Sequence, residues 1–241
     1  MIVITRPAGT AATFARQARA RGGVPLLLPG LALRPVEDAG QASAALREAL
    51  RTDDLLVFTS PAAVRFAAAL APLRTRAIVL AVGQGTAVAL CRHGLAAQAP
   101  ARQQDSEGLL DLPALRDVQG RGVALIGAPG GRGLLQQRLA DRGARLREVC
   151  VYRRTAPRLD RRHLDAVRQL PPDARVLLSS AQALAHLREG LPAEAWARLC
   201  TAVAVVSSKR LELAARDAGF RQLRRAASAM PADLLKAAAD A

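Results

Sequence analysis

The sequence predicts a duplicated α/β chain that forms two parallel-sheet units. Three observations carry this prediction. Short β-branched apolar runs alternate with segments of helical period. The same order of elements occurs twice. The 241 residues exceed the usual size of one domain, and they are 51% hydrophobic but only 2% aromatic, so both cores must be built from Leu, Val and Ala.

Ile2 to Thr5 reads as a strand broken by Pro7, and Thr10 to Arg21 places Phe14, Ala15 and Ala18 at helical spacing before Gly22-Gly23. Val24 to Leu28 is a second strand, and Pro29-Gly30 with Pro35 extends the chain beyond it. A helix from Gln41 to Arg51 leads into Asp54 to Phe58, whose continuous apolar run suits a buried parallel strand. Ser60 as N-cap and Pro61 at the first helical position start a helix to Leu70 directly at the strand's end. Ala77 to Val82 is the next strand, Gly83-Gln84-Gly85-Thr86 a tight turn, Ala87 to His93 a helix ended by Gly94, and Ser106 to Leu110 a short helix.

The second half retraces this order. Ile2 to Gly22 overlays Val123 to Gly143 without gaps, pairing Gly9 with Gly130 and Gly22 with Gly143. Thr59-Ser60 falls on Ser179-Ser180, Gly83 to Thr86 on Ser207 to Arg210, and Leu109-Leu110 on Leu234-Leu235. Leu31 to Val36 and Tyr152 to Pro157 follow corresponding strands, so the chain crosses between domains at both points and exchanges its first βαβ segment. The predicted layout is a discontinuous domain of residues 1–30 and 158–241, a second domain of 38–147, and connector strands at 31–37 and 148–157. The second connector holds Tyr152, the only tyrosine.

In an open parallel sheet, ligands bind beyond the carboxyl ends of the strands, where helices begin. Thr59-Ser60, Gly83-Gln84-Gly85-Thr86, Ser179-Ser180 and Ser207-Ser208-Lys209-Arg210 all fall there. Hydroxyls, unpaired amides and a helix dipole make each an anion site, although any one alone reads more readily as an ordinary N-cap. Gly83-x-Gly85 lacks the third glycine of a dinucleotide fingerprint, and Gly127 to Gly133 lacks the lysine and hydroxyl of a phosphate loop. His93, His163 and His186 have no metal-ligand spacing and read as surface or cap residues. Asp105, Glu107 and Asp111 read as charges favouring a helix N-terminus, and Trp196 as a packing anchor.

The positive charge behind the net +15 is almost all arginine, scattered rather than gathered into a recognition helix, which argues against nucleic acid; beside abundant alanine it reads first as general composition bias and is compatible with a cleft for a polyanionic small molecule. Cys91, Cys150 and Cys200 have no C-x-x-C spacing and read as buried free thiols of a reducing compartment. The short opening strand is no signal segment, and no apolar run suits a membrane span, so a cytoplasmic protein is expected.

Ile4-Thr5-Arg6-Pro7, Phe58-Thr59-Ser60-Pro61-Ala62-Ala63-Val64, Ala81-Val82-Gly83-Gln84-Gly85-Thr86-Ala87, Ser106-Glu107-Gly108-Leu109-Leu110 and Val151-Tyr152-Arg153-Arg154 together resemble the uroporphyrinogen-III synthase family. The resemblance spans nearly the whole chain. It implies two flavodoxin-like domains, a two-stranded connector, a cleft between the domains, and neither metal nor organic cofactor. The implied reaction closes the linear tetrapyrrole hydroxymethylbilane to uroporphyrinogen III with inversion of ring D and loss of water. Tyr152 matches the family's tyrosine, whose hydroxyl assists departure of water; a tyrosine that merely packs in a connector strand is the competing reading. Arg6, Thr59, Ser60, Gly83, Gln84, Thr86, Ser179, Ser180, Ser208, Lys209 and Arg210 are the implied substrate-binding residues. The chain departs from the family pattern at Ser207 to Arg210, where Lys209 or Arg210 would take a carboxylate instead of a threonine hydroxyl. The resemblance also implies a monomer that receives its substrate from hydroxymethylbilane synthase. A non-catalytic binder of an anionic small molecule is the alternative function.

Overall fold

The computed structural model describes residues 1–130 and 133–239. In chain order its elements are β1 (Ile2–Ile4), α1 (Ala8–Ala20), β2 (Pro25–Leu27), β3 (Ala32–Pro35), α2 (Ala39–Thr52), β4 (Leu55–Phe58), α3 (Pro61–Leu70), β5 (Ile78–Ala81), α4 (Gln84–Cys91) and α5 (Ser106–Leu110). After a short 3-10 turn come β6 (Gly122–Gly127), α6 (Leu134–Asp141), β7 (Arg145–Cys150), β8 (Tyr152–Thr155), α7 (Arg161–Arg168) and β9 (Arg175–Leu178). The chain ends with α8 (Ala181–Gly190), α9 (Ala193–Cys200), β10 (Val203–Val206), α10 (Lys209–Asp217), β11 (Leu223–Arg225) and α11 (Pro231–Ala239).

These elements form two compact units, residues 1–32 with 155–241, and residues 33–154. The first unit holds a parallel sheet in the order β11-β10-β9-β1-β2, and the second a parallel sheet in the order β5-β4-β6-β7. Renumbered from β1, the first sheet has the flavodoxin order 2-1-3-4-5. Renumbered from β6, the second has 2-1-3-4, and a lone parallel bridge between Leu80 and Gln98 stands where a fifth strand would run. Each sheet therefore takes its first two strands from one half of the sequence and the remainder from the other, which is the predicted segment exchange. β3 and β8 pair in a two-stranded sheet of their own.

Both faces of each sheet are buried, because side chains alternate along a strand and helices cover both sides. In β4, Leu56 and Phe58 enter one core while Leu55 and Val57 enter the other, and in β6 Ala124 and Ile126 oppose Val123 and Leu125 in the same way. β1 sends Val3 to one side and Ile4 to the other, as β9 does with Val176 and Leu177. The duplication extends to these layers. α1 and α11 cover one face of the first sheet as α6 and α5 cover one face of the second, while α8 and α10 correspond to α3 and α4 on the opposite faces. Gly22 and Gly143 close their helices with φ of 75° and 78°, a left-handed conformation in which a side chain would be strained.

Some expectations need correction. Gly9 lies within α1, whereas its counterpart Gly130 precedes α6 with a φ of 77°, so α6 starts later than its copy. Residues 131 and 132 of the glycine-rich stretch lie outside the described residues. Glu148, Val149 and Cys150 are not connector but the end of β7, because the six-residue β6 supplies a partner for each in Leu125, Ile126 and Gly127. Cys91 is exposed and Cys150 and Cys200 are half-buried, all three as free thiols. Burial pushes the Cys200 thiol up to about 11, and burial followed by the charge of Glu148 raises that of Cys150. Both stay protonated near neutral pH. Asp111 follows the last turn of α5, and only Asp105 and Glu107 stand at its N-terminus.

Trp196 anchors as expected: its Nε1–H donates to the Ala218 carbonyl at 3.1 Å and its ring meets Phe220 edge-on. Asp160 caps α7, accepting from the His163 amide, and His163 returns its ring nitrogen to the Asp160 amide. The His163 backbone amide first, then its ring, holds the Asp160 carboxyl below its ordinary value. A depressed carboxyl stabilises the fold above its unfolded value, and that contribution disappears as pH falls through the folded one. Asp160→Ala should thus lower Tm at neutral pH, and its Tm should converge on wild type in acid below the ordinary aspartate range, as thermal melts across pH would reveal.

Candidate active site

Each unit presents its helix N-termini at the carboxyl edge of its sheet. In the second unit, β4 ends at Phe58 and α3 begins at Pro61, leaving Thr59 and Ser60 at the edge. Thr59 Oγ1 donates to the Ile126 carbonyl of the neighbouring strand at 3.2 Å. Ser60 is the N-cap: its Oγ accepts the Ala63 amide at 3.0 Å, as the Ser-Pro pair predicts. Gly83 precedes α4, whose helix starts at Gln84, so Gln84-Gly85-Thr86 form the first helical turn rather than a turn before it. Two contacts explain that early start. Gln104 Oε1 accepts the Gln84 amide at 3.0 Å, and a Cβ on Gly85 would lie only 3.7 Å from Pro61, so the first turns of α3 and α4 pack together. Gln104 went unpredicted because nothing local to its own sequence marks it as a cap for a helix some twenty residues earlier. Thr86 is buried, with 3% of its surface exposed, so it belongs to the wall beneath this edge rather than to its surface.

Tyr152 opens β8 beside these groups. The residue is 4% exposed and forms part of the core that includes Phe58, Val64 and Val151. The hydroxyl lies 3.3 Å from Ser60 Oγ. Phe66 of α3 stacks on the ring, with centroids 5.3 Å apart and planes inclined by 12°. A cavity of about 170 Å³ opens at the same edge, lined by Thr59, Ser106, Gly127, Glu148, Cys150 and Arg154 among others. Its lining runs from Thr59 after β4 across the ends of β6 and β7 to the start of α6, beyond the carboxyl ends of the strands where such sheets take ligands.

In the first unit, Ser179 and Ser180 follow the end of β9, and Ser180 Oγ caps α8 by accepting the Ala183 amide at 3.2 Å. Ser207 and Ser208 follow the end of β10, and Ser208 caps α10 through the Leu211 amide at 3.3 Å. Lys209 and Arg210 follow in the first turn of α10, both exposed and without an ion-pair partner among the described residues. They stand at the positive end of the helix dipole, which strengthens the attraction for an anion. Arg6 is committed differently. Its guanidinium donates to the Ala229 carbonyl at 2.8 Å and lies 4.7 Å from the Phe14 ring centroid, and burial lowers its affinity for a proton. It ties β1 to the segment before α11.

Four helix N-termini, three capped by serine and one by glycine, thus stand at the carboxyl edges of two exchanged parallel sheets. That combination defines a duplicated α/β protein suited to an anionic small molecule. The family model described as "Uroporphyrinogen-III synthase HemD" matches residues 12–236. Uroporphyrinogen-III synthases of Escherichia coli (strain K12) and Salmonella typhimurium (strain LT2) are each 30% identical to this chain, with alignments covering 98% of the chain and 98% of each relative. The chain belongs to the uroporphyrinogen-III synthase family. The fold agrees with a uroporphyrinogen-III synthetase of Helicobacter pylori (TM-score 0.63, 15% identity, 99% of this chain and 98% of that one). It also agrees with a mutant Thermus thermophilus uroporphyrinogen III synthase (TM-score 0.60, 22% identity, 98% and 95%).

Among the described residues, no group of three or more His, Cys, Asp or Glu is arranged to hold a metal ion, and no helix is long and apolar enough to cross a membrane.

Proposed function

We propose that this chain converts hydroxymethylbilane to uroporphyrinogen III, closing the ring with inversion of ring D and loss of water. Family membership across nearly the entire chain is the observation that carries this reading. The chemistry of the sheet edges supports it. The substrate's eight carboxylates need distributed anion sites, and hydroxyl-capped helix N-termini supply them without a cluster of lysines. Thr59, Gly83, Gln84, Ser179, Ser180, Ser208, Lys209 and Arg210 are assigned to carboxylates. Thr86 shapes the wall under the α4 turn, and Arg6 fixes the edge of the first unit.

Tyr152 is assigned the acid. Its proton passes to the departing hydroxyl as the C–O bond breaks with its electron pair, and the adjoining pyrrole nitrogen's electrons fill the vacated carbon. Ring D bonds to that carbon through the α-carbon that already carries its bridge to ring C; that older C–C bond then breaks, and the freed bridge carbon re-bonds to ring D's other α-carbon, whose released proton restores the phenol. Much of this reactivity is intrinsic to the pyrrole, so the protein contributes chiefly by holding ring D's reacting carbon in place. The two compact units are assigned as the domains, with β3 and β8 as the connector. Hydroxymethylbilane closes spontaneously to the wrong isomer, which favours direct handover from hydroxymethylbilane synthase to a monomer in the cytoplasm. Isomer analysis of the product from freshly made hydroxymethylbilane tests the proposal: isomer III is expected, and isomer I alone would leave only a binding protein.

A further inference from the structure

We propose that Ser60, the N-cap of α3, and Phe66 within it are positioning residues that orient the Tyr152 hydroxyl and keep its proton available for donation; this rests on the reading of Tyr152 as the acid. Ser60 Oγ already accepts the Ala63 amide at 3.0 Å, and its own hydrogen is then free to point toward Tyr152, 3.3 Å away. With Ser60 donating, the phenol oxygen is an acceptor and its O–H remains unspent. The opposite arrangement would consume the phenol proton on Ser60.

The resulting chain runs from the Ala63 N–H through the Ser60 O–H to the Tyr152 O–H. Each bond polarises the next in the same direction. It starts at the positive end of the α3 dipole, so the dipole favours the negative charge that develops on the phenol oxygen as its proton leaves. Phe66 supplies the second restraint. A helical side chain leans toward the helix N-terminus, which brings the Phe66 ring back over the first turns of α3 and onto the Tyr152 face. Arg65 lies over the Phe66 ring, 4.8 Å from its centroid. One helix therefore grips the tyrosine at its hydroxyl and at its ring face. Sequence spacing gives no hint of this, since Ser60 and Phe66 are remote from Tyr152 along the chain.

The test is a double-mutant cycle. Glycine is nearly as good an N-cap as serine but has no hydroxyl, so Ser60→Gly removes the contact with little loss of helix stability. Turnover should fall by roughly tenfold or more, with KM changed less than about twofold, and Ser60→Thr should recover most of the loss. In the Tyr152→Phe background, Ser60→Gly should cost nothing further, because Ser60 acts only through the phenol. Losses that multiply in the double variant, or a Ser60→Gly effect confined to KM, would overturn the inference while leaving Tyr152 as the acid. Unchanged turnover in Tyr152→Phe alone would instead overturn the reading of Tyr152, and the inference with it.

Phe66 is read separately. The chain has one tyrosine, so ring-labelled tyrosine gives a single set of NMR signals. Phe66→Leu should displace those signals and lower turnover without raising KM, while Phe66→Trp should keep turnover closer to wild type. Signals that stay in place in Phe66→Leu would overturn the clamp.

Discussion

Tyr152→Phe is expected to lower turnover without abolishing it. A general acid contributes roughly 10²- to 10⁴-fold to a rate, and the loss should fall toward the low end because the substrate's pyrrole already assists departure of its hydroxyl. The substitution removes one oxygen and keeps the ring, so the stack on Phe66 and the contacts within the core survive. Thermal stability should therefore change little, and KM should stay close to its original value. Steady-state kinetics with fresh substrate would separate the outcomes. A wild-type turnover number in the variant would leave Tyr152 as a packing residue of the second unit.

Phe58→Ala should have the largest effect on stability. Phe58 is 0% exposed at the end of β4, immediately before Thr59 and Ser60, and shares its core with Tyr152 and Val149. Removing a buried phenyl ring costs about 3–5 kcal/mol through lost transfer energy and the cavity left behind. That is a large share of the roughly 5–15 kcal/mol that stabilises an ordinary domain. Denaturant melts should show the second unit unfolding at markedly lower denaturant, with the first unit, whose cores contain different side chains, changed far less. A midpoint for the second unit within experimental error of wild type would contradict the assignment of Phe58 to its core.

The contrast between α3 and α4 illustrates what the residues alone convey. α3 was legible to the residue because Ser-Pro places a cap and a preset φ at adjacent positions, a signal that needs no partner. Gly-Gln-Gly-Thr looks like a turn and so predicts a late start for α4, yet the Gln104 side chain and the packing of Pro61 against Gly85 complete its first turn. The parallel sheets were legible from apolar runs and their repetition, since a strand buried on both faces needs no polar alternation. The end of β7 was not, because Glu148 looks like a connector residue until β6 is seen to offer a paired strand.

The site follows the same division. Ser60, Ser180 and Ser208 were legible as caps because a cap is a local device. The family resemblance implies Arg6 as a substrate-binding residue, but its guanidinium donates to the Ala229 carbonyl and lies over Phe14, contacts that its own sequence does not mark. Thr86 follows the same logic, since its burial depends on what packs over α4. Phe66 carries no chemical signal of its own, and its contact with Tyr152 exists only once β8 lies against α3.

The central claim is that this chain directs ring closure rather than merely holding the linear tetrapyrrole. Hydroxymethylbilane generated in situ, trapped after a short incubation with the protein, oxidised and resolved by chromatography, tests that claim most directly. The account predicts a product dominated by the type III isomer, formed faster than spontaneous closure. A product that is wholly type I, formed at the uncatalysed rate, would contradict it.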